Sequence, residues 1–542
     1  MAPGRGRLVF RIGALIFALW SLFFILRTSF YAGGSRVFCL WDDAMVSMRF
    51  ARNLATGHGL VWNPGGERVQ GFSNLGITLL MAVIHLLPLG ATRVSLVFQL
   101  FNLGLLLYCA HLVRAIAVRL FESEAAGLAA AFVLMLSGPI AVLTLQGTDV
   151  GVITTILLAA LHEVVKATDR GGAWPSRVYA ILALGILTRL DFVFLYAVFA
   201  LVSLAFPRPR SSLLAAAGVF AGTTGAILAF QALYYGDPLP NTYYLKATGS
   251  PLRLMLQSGL DSQIDFFTRA LAPVVLSGLG LALVQPKDRR LWLLFAVPAV
   301  LLAYDMRYGG DWVYRWTSRF FAPAFPFLIL LAVGAGARLF ERLRVADTTE
   351  DGEVVMRPLS PFQRHLGLAF FAIMALVAVN TTPAFKEWLD PREEILLSSM
   401  NVKNYRFARY FSWHTRPDAT IAVAMAGTLP YFLDRYTIDV LGKCDSHIAR
   451  MSVPRFIAGH SKWDWPYVLH ERRPDIIDRV SRGLVLREDF IALYDEADAA
   501  GLDPFFVRKE SRHKIDDPTV HYVKPHETTA HPIDGRLVQA SP

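Results

Sequence analysis

Cysteine and charged residues are both scarce in this chain of 542 residues. Three cysteines, Cys39, Cys109 and Cys444, cannot form a disulfide framework, and no Cys/His spacing typical of structural zinc occurs. Only 18% of the residues are charged whereas 54% are hydrophobic, which excludes the disordered and fibrous classes. No Walker loop, HExxH motif, nucleotide-binding fingerprint or Ser-His-Asp order stands out. Without an ATP-binding signature, a synthetic reaction would need an activated donor.

The apolar residues occur in long runs separated by short basic loops. This pattern predicts a polytopic α-helical membrane protein, because a soluble protein distributes its apolar residues along amphipathic elements. The run 177–206 is too long for one helix and contains Arg189 and Asp191, so we predict two short helices that meet at a polar elbow. Residues 74–89 are predicted to form a juxtamembrane helix. With the elbow pair the total is about 11 transmembrane helices, the others lying at residues 8–31, 94–118, 124–146, 150–166, 212–234, 271–285, 290–304, 319–338 and 365–382.

The formal net charge of +10 is explained by membrane topology. Lysine and arginine cluster at the ends of apolar runs, on the side of the basic N-terminus, as the positive-inside rule requires. We therefore expect no nucleic-acid partner, a multi-pass location in a membrane and a cytoplasmic N-terminus. The first apolar run follows two arginines like a signal peptide. It is long and no cleavage site follows it, so we predict that it remains as the first helix.

Composition changes after Thr382, where charged residues, Trp and Pro become common and no spanning run returns. Residues 1–382 are predicted to form a transmembrane domain, which includes the first periplasmic loop, 32–93, with its juxtamembrane helices. Residues 383–520 are predicted to form a periplasmic mixed α/β domain, with strands at Thr420–Ala426 and Tyr436–Leu441. Residues 521–542, rich in Pro, His and Thr, are predicted to be a flexible tail.

The first outer loop carries two adjacent carboxylates, Asp42 and Asp43, followed by Arg49 and Arg52. If residues 43–53 are helical, the two arginines share one face, a geometry suited to binding an anion. Transfer of a sugar from a lipid phosphate to a hydroxyl requires such a combination, with a base for the incoming alcohol and cations for the departing phosphate. The alternative is an interfacial helix whose aspartates only cap its N-terminus. Spacing alone does not decide between the two.

Charged residues also interrupt apolar runs further along the chain. Asp149 lies at an outer helix end, and Arg189 and Asp191 lie within the run 177–206. A charge at the bilayer centre costs roughly 2.5–3.5 kcal/mol on insertion scales, so such residues usually face a polar cavity or a partner. They are candidates for the active site. The alternative is that Arg189 and Asp191 form a pair that only neutralises itself.

Two further outer loops carry candidate binding residues. Residues 234–246 combine turn residues with tyrosines and a lysine, and from these we select Asn241, Tyr243 and Lys246 as substrate-binding candidates. Tyrosines at a membrane interface are ordinarily belt residues, which is the alternative for this segment. Arg315 and Arg319 lie in a second outer loop, against the positive-inside bias, which indicates an anionic partner such as a lipid phosphate.

The order of these segments resembles the GT-C superfamily of integral membrane glycosyltransferases, which use polyprenyl-phosphate sugars as donors. The resemblance extends from Asp42 to about Asp478, and it is strongest to the bacterial branch that contains the mycobacterial terminal arabinofuranosyltransferase. The segments that carry it are Asp42-Asp43-Ala44 through Arg52-Asn53, Gly59-Leu60-Val61-Trp62-Asn63 with Glu67-Arg68-Val69, Thr188-Arg189-Leu190-Asp191, Tyr235-Gly236-Asp237-Pro238-Leu239-Pro240-Asn241-Thr242, Gly309-Gly310-Asp311, Arg319-Phe320-Phe321-Ala322-Pro323, Ile438-Asp439-Val440-Leu441-Gly442 and Gly459-His460-Ser461-Lys462-Trp463.

The resemblance implies a GT-C-type catalytic domain over residues 1–382 and roles for individual residues. Asp42 would be the catalytic base, with Asp43 beside it. Asp149 would be a second active-site carboxylate. Lys246 and Arg319 would contact the donor phosphate.

The chain departs from its relatives at Asp149 and Asp191, where they often have the longer glutamate. Metal use varies across the superfamily, so a divalent cation is compatible with the carboxylates, and the resemblance implies no other cofactor. The implied partners are a polyprenyl-phosphate sugar donor, a glycan or glycolipid acceptor and the lipid bilayer.

Residues and resemblance together predict a membrane glycosyltransferase. It would transfer a sugar, such as arabinofuranose or another pentose or hexose, to a hydroxyl of a cell-envelope glycan, glycolipid or glycoprotein on the periplasmic face. This prediction requires Asp42 and the distant cations Lys246 and Arg319 to converge in one cavity. The competing classes are a transporter or flippase of lipid-linked sugars, which should show paired half-chain repeats, and a non-catalytic envelope assembly protein.

Overall fold

The computed structural model describes residues 3–169, 172–207, 210–269, 289–310, 318–343, 346–348, 354–356, 396–480 and 482–526. Two predicted spans, 271–285 and 365–382, lie outside the described residues, as do Asp311 and the predicted binding residue Arg315. The chain divides into two compact units. The first unit comprises Met1–Ile25, Gln99–Ile227 and Arg253–Glu393, and the second comprises Leu26–Phe98, Leu228–Leu252 and Glu394–Pro542.

Helices dominate the described chain before residue 346. They are Pro3–Thr28, Asp42–Ala55, Leu75–His85, Ala91–Phe121, Glu124–Leu136, Gly138–Leu145, Val150–Thr168, Ser176–Thr188, Val193–Ser203, Arg210–Tyr235, Asn241–Ala247, Leu252–Arg269, Trp292–Arg307 and Phe325–Leu343. Short 3-10 turns lie at Leu190–Phe192, Arg289–Leu291 and Ala322–Ala324. The predicted juxtamembrane segment 74–89 contains the helix Leu75–His85.

Among the described residues, four helices are long and apolar enough to cross a membrane, namely Gly4–Thr28, Ala91–Phe121, Val150–Thr168 and Ser212–Tyr235. In the most apolar stretch of Ser212–Tyr235 only 11% of the residues are buried within the protein. Such an apolar surface is stable when lipid covers it. The predicted total of about 11 spans stays a prediction, because shorter apolar helices and two predicted spans fall outside this set.

The predicted single span 124–146 is wrong in detail, because it is a bent pair. Glu124–Leu136 and Gly138–Leu145 meet at 55° and together form a fifth candidate span. Ser137 adopts an extended conformation, and Pro139 occupies the first turn of the second helix. Proline has no backbone N–H and its ring would clash with the carbonyl of Met135, so the first helix cannot continue through Pro139, whereas proline is tolerated in the first turn of a new helix.

The polar elbow predicted within the run 177–206 is confirmed. Ser176–Thr188 ends at Arg189, whose backbone is extended, and the chain becomes helical again at Leu190. The ring of Phe192 packs against Gly185 at a position that a Cβ atom would occupy. The missing side chain of Gly185 therefore permits the tight return of the chain. The elbow presents Arg189 and Asp191 at the break.

The strands of the described residues fall into three sheets. Two are antiparallel hairpins, of β1 (Phe30–Ala32) with β2 (Ser35–Val37) and of β3 (Ala346–Thr348) with β4 (Val354–Met356). The third, in the second unit, is six-stranded with the order β10-β8-β9-β7-β5-β6. Its strands are β5 (Thr420–Val423), β6 (Tyr436–Asp439), β7 (Ile476–Ile477), β8 (Tyr494–Asp498), β9 (Phe505–Arg508) and β10 (His521–Val523).

The six-stranded sheet is mixed, which confirms the predicted α/β character of the C-terminal region. Strands β7, β5 and β6 run parallel, and the remaining neighbours are antiparallel. Its core includes Ile438, Val468, Ile477 and Phe506, each at most 2% exposed. The helical segments beside it are Leu396–His414, Thr428–Phe432, Ser446–Arg450, Tyr467–Arg472 (a π-helix), Arg482–Val485, Glu488–Leu493 and the 3-10 helix Lys509–Lys514.

The predicted start of the flexible tail at residue 521 is wrong. His521–Val523 forms the edge strand β10, which pairs antiparallel with β8. The guanidinium of Arg512 lies 4.7 Å from the ring centre of Tyr522. Backbone pairing and this contact place the segment within the sheet. The other predicted domain boundaries stay predictions.

The parallel strands determine where the loops of the sheet meet. The carboxyl ends of β7, β5 and β6 lie at one edge, and they are followed by Asp478–Arg479, by residues 424–427 and by residues 440–445. In open α/β sheets, ligands bind in the crevice outside the carboxyl ends of parallel strands. The search for a site in the second unit therefore begins at this edge.

Candidate active site

Asp42 lies at this edge of the sheet, as the first residue of the helix Asp42–Ala55. Its Oδ1 accepts a hydrogen bond from the backbone N–H of Thr428 (2.8 Å), and its Oδ2 accepts one from Gly427 (3.2 Å). The N-cap of its own helix is Trp41, without a side-chain bond. Asp42 therefore accepts hydrogen bonds from the N-terminus of the helix Thr428–Phe432, which follows β5. A carboxylate has about four acceptor positions, so Asp42 can still accept a proton from a substrate.

The close approach of the two segments depends on Gly427. A Cβ atom at this position would lie 2.7 Å from Oδ1 of Asp42. Any side chain at 427 would therefore displace the carboxylate from the two amides. Glycine is used here for close approach, since its φ of −105° is accessible to any residue.

The charge state of Asp42 is set by burial and by its neighbours. The residue is 8% exposed, and desolvation raises the pKa of its carboxyl group above the ordinary value. Lys443 and Arg479 act in the opposite direction, while Asp43 adds to the increase. A raised pKa makes a carboxylate a stronger proton acceptor, which suits a general base.

Asp43 forms an ion pair with Lys443 through its Oδ1. The side chains are 34% and 17% exposed, so the pair is open to solvent on one side. Burial alone would lower the pKa of Lys443, but the carboxylates of Asp43 and Asp42 outweigh it and raise that pKa. Lys443 is therefore charged at physiological pH and is the cation nearest to Asp43 among the pairs described.

The loop that carries Lys443, residues 440–445, is fixed from several directions. Asp439, at the end of β6, accepts hydrogen bonds from the backbone N–H groups of Leu441 (2.9 Å) and Cys444 (2.7 Å). Gly442 has a φ of +79°, and a Cβ atom there would lie 2.7 Å from the side chain of Ile448. These contacts hold the loop in a conformation in which Lys443 bonds to Asp43.

Asn241, predicted to bind substrate, holds this loop. Its Nδ2 donates to the carbonyls of Gly442 and Lys443, both at 3.0 Å, and of Asp445 at 3.2 Å. Its Oδ1 accepts from Arg450 (3.1 Å). Asn241 is 4% exposed and its polar atoms are engaged within the protein, and its predicted substrate-binding role stays a prediction.

Lys246 and Tyr243 follow on the same short helix, Asn241–Ala247. The Cε of Lys246 lies 3.4 Å from the position that a Cβ atom would occupy at Gly459, the residue before His460. Burial lowers the pKa of His460 to about 4, and the charges of Lys443, Asp43 and Lys246 all act on this imidazole. The structure thus brings Lys246 within electrostatic reach of the Asp43–Lys443 pair. Tyr243 is 37% exposed and packs edge-on against Tyr244, which fits either predicted role.

Arg49 and Arg52, which are predicted to bind an anion, have partners within the protein. Arg49 is 2% exposed, and its guanidinium donates to the carbonyls of Trp62 and Pro430 and to Oδ1 of Asn63. The residue therefore joins the first outer loop to the segment after β5. Arg52 likewise donates to the carbonyl of Tyr431 (2.7 Å) and to an exposed aspartate. The predicted anion-binding role of the two arginines stays a prediction.

The first unit contains a second charged cluster, at the elbow. Arg189 donates from Nε and Nη2 to the two oxygens of Asp191 and from Nη1 to Asp149. The hydroxyl of Tyr304 donates to Asp191 and lies 3.3 Å from Arg189. The predicted pair of Arg189 with Asp191 is therefore present, and Asp149, 40 positions earlier, completes it.

Arg319 lines the same small cavity as Asp149 and Arg189, and its guanidinium lies 5.2 Å from the ring centre of Phe320. The cavity has a volume of about 40 Å³. A water molecule needs roughly 10–15 Å³ on this measure, so the space accommodates a few waters and not a sugar. Within the first unit, four predicted residues, Asp149, Arg189, Asp191 and Arg319, thus line one charged pocket together with Phe320.

No group of three or more His, Cys, Asp or Glu side chains that could hold a metal ion occurs among the described residues. Asp42 and Asp43 instead have backbone amides and an ammonium group as partners. The metal requirement stays undecided.

Lys443, His460 and Tyr304 are not among the site residues that the sequence predicts. The first two lie next to or within segments that carry the family resemblance, Ile438–Gly442 and Gly459–Trp463. Lys443 directly follows the glycine that shapes its loop, and a glycine-lysine pair after a β-strand is a usable signal for an anion-facing lysine. Tyr304 lies in an apolar run and resembles any interfacial tyrosine.

Comparison with known proteins adds information on the fold. Residues 396–523 match the model of a domain of unknown function, DUF8728. No curated protein matches the chain. Among solved structures, ArnT from Cupriavidus metallidurans in the apo state is similar with a TM-score of 0.55 and 14% sequence identity, over 98% of this chain and 100% of that chain.

The Archaeoglobus fulgidus oligosaccharyltransferase in the apo form is similar with a TM-score of 0.49 and 10% identity, over 95% of this chain and 76% of that chain. The similarity to ArnT, which extends over nearly the whole of both chains, shows that this chain shares the fold of that structure.

Proposed function

We propose that this protein is a membrane glycosyltransferase that transfers a sugar from a polyprenyl phosphate to a hydroxyl of a cell-envelope glycan, glycolipid or glycoprotein on the periplasmic face. The observation that carries the proposal is the position of Asp42. Its carboxylate is held by two amides at the carboxyl ends of parallel strands, beside the Asp43–Lys443 pair. A base and a cation at one edge are the groups that this transfer requires. The fold shared with ArnT supports the proposal.

In the proposed reaction Asp42 accepts the proton of the acceptor hydroxyl. The acceptor oxygen becomes bonded to the anomeric carbon, and the bond between that carbon and the phosphate oxygen breaks. Polyprenyl phosphate leaves with the electron pair of this bond. Its negative charge rises from about one to nearly two, so a cation beside the phosphate stabilises the transition state more than the ground state.

The donor sugar is proposed to be arabinofuranose or another pentose or hexose, on the basis of the resemblance to the arabinofuranosyltransferase branch. The location is proposed to be the bacterial inner membrane, with the N-terminus in the cytoplasm and the C-terminal domain in the periplasm. Arg319 and Lys246 are proposed to contact the donor phosphate. A divalent cation is compatible with the proposal.

The direct test is to incubate purified protein with labelled polyprenyl-phosphate pentoses and hexoses and with candidate acceptors. Release of polyprenyl phosphate together with a labelled acceptor supports the proposal. Movement of the intact lipid-linked sugar across a vesicle bilayer, without cleavage, identifies a transporter instead. Binding of glycan with neither cleavage nor movement identifies an assembly protein.

The pH dependence of transfer should report the charge state of Asp42. Lowering the pH should reduce kcat/KM as Asp42 becomes protonated. Because burial raises the pKa of this carboxyl group, the decrease should begin at a higher pH than for an ordinary aspartate, whose pKa is about 3.9. Lys443, Asp43 and Arg479 are the charged groups that act on Asp42. The variant Lys443→Met should move this acid limb to higher pH, and Asp43→Asn should move it to lower pH. A pH profile that neither variant moves would exclude Asp42 as the titrating base.

A further inference from the structure

Three described arginines near Asp42 and Asp43 have other partners within the protein. Arg49 and Arg52 donate to backbone carbonyls or to an aspartate of the protein. Arg479 pairs with Asp478 and donates to Asn404 (2.6 Å). In this structure the two arginines of the first outer loop therefore have acceptors of the protein as their partners.

Lys443 is the cation at this edge whose surroundings fit an exchangeable partner. Its ammonium group is bonded to Asp43, whose side chain is one-third exposed. The Lys443 side chain is 17% exposed, so the pair is partly open to solvent and a stronger anion can reach the ammonium group. The backbone that carries Lys443 is fixed by Asp439 and Asn241. A fixed backbone behind an ammonium group that is partly open to solvent is the arrangement of a binding residue.

We propose that Lys443, carried by the C-terminal domain, binds the phosphate of the polyprenyl phosphate that departs from the donor and exchanges its partner Asp43 for that phosphate. This inference rests on the proposed function and extends it by giving the domain of unknown function, residues 396–523, a part in the active site. Lys246 lies beside Gly459, and its charge acts on His460, as do the charges of Lys443 and Asp43.

The exchange is favourable because of charge. A phosphate monoester carries a charge of about −1.5 to −2 at neutral pH, whereas Asp43 carries −1. The same ammonium group therefore binds the departing polyprenyl phosphate more strongly than it binds the carboxylate. His460 does not compete for the phosphate as a cation, because burial lowers its pKa to about 4 and it is neutral at physiological pH.

The test measures equilibrium binding of a defined polyprenyl phosphate to the full-length protein in detergent micelles by calorimetry. Lys443→Met should weaken binding about 10- to 100-fold, the range expected for one charge-assisted hydrogen bond. Asp43→Asn should tighten binding several-fold, because the competing carboxylate is gone. Lys443→Arg should recover part of the loss. The uncharged polyprenol should bind all of these variants equally.

A matched control is available on the surface of the same unit. Lys403 pairs with Asp503 at 3.1 Å, with side chains that are 53% and 36% exposed. Lys403→Met and Asp503→Asn make the same chemical changes away from the site and should leave polyprenyl-phosphate binding unchanged.

Opposite effects of Lys443→Met and Asp43→Asn support the proposal. Equal weakening of binding by both variants would show that the pair only stabilises the fold. Unchanged binding by Lys443→Met would show that Lys443 has no part in the site. Either result overturns the proposal. If the variants bind polyprenyl phosphate as expected but the wild-type protein transfers no sugar, the proposed function is refuted and the phosphate-binding site is retained. Wild-type protein that fails to bind polyprenyl phosphate would refute the site.

Discussion

Replacing Asp42 by asparagine should reduce sugar transfer by about 10²- to 10⁴-fold, the contribution of a positioned general base. Asparagine has nearly the same shape as aspartate but cannot accept the proton of the acceptor hydroxyl. The loss should appear in kcat and equally in kcat/KM, because the base acts in the transition state. Binding of polyprenyl phosphate should not weaken, which separates this variant from Lys443→Met.

The substitution also has a structural cost, which the sequence alone does not indicate. Asp42 accepts one hydrogen bond on each oxygen, from the N–H groups of Gly427 and Thr428. In asparagine one oxygen becomes an NH₂ donor, so one of these amides loses its acceptor, at a cost of about 1–3 kcal/mol. The Asp42→Asn protein should therefore fold with a lowered unfolding midpoint, measured by thermal denaturation in detergent.

A matched control is Asp434→Asn. Asp434 pairs with Arg52 at 3.0 Å, and its side chain is 79% exposed. This variant should keep both transfer and stability, because exposed ion pairs contribute little. Near-normal transfer by Asp42→Asn would remove Asp42 as the base, whatever its effect on stability.

Sequence patterns found the elbow but only part of its chemistry. A charge inside an apolar run is costly unless it has a partner, so Arg189 and Asp191 could be placed at a break between two helices. Asp149 and Tyr304 could not be assigned to the same cluster, because they are 40 and 115 positions from Arg189. Their contact depends on the packing of distant helices, which periodicity does not specify.

The first outer loop shows the same limit more sharply. Helical spacing places Arg49 and Arg52 on one face of the helix Asp42–Ala55, as predicted, but it does not show what that face meets. The two guanidinium groups donate to the backbone carbonyls of residues 430 and 431, so both arginines join this helix to the segment after β5. The cation beside the carboxylates comes from Lys443, 400 positions later. The predicted convergence of Asp42 with Arg319 stays a prediction.

Replacing Arg189 by methionine should be the most destabilising change in the first unit. Arg189 is 7% exposed and is the shared partner of Asp149 and Asp191. Without it, two carboxylates remain in low-dielectric surroundings, and removal of one partner of a buried ion pair costs about 3–5 kcal/mol. Thermal unfolding in detergent should show the loss. Arg119→Met is the matched control, since Arg119 pairs with Asp169 at 3.3 Å and its side chain is 40% exposed.

A triple variant, Arg189→Met with Asp149→Asn and Asp191→Asn, separates folding from function. It removes all three charges together, so no carboxylate is left without a partner, and most of the lost stability should return. If the cluster serves the substrate, as the resemblance implies for Asp149, the triple variant should be stable but should transfer sugar at least tenfold more slowly. Recovery of both stability and transfer would show that the cluster only closes the elbow. A stability loss for Arg189→Met no larger than that for Arg119→Met would contradict the structural role as well.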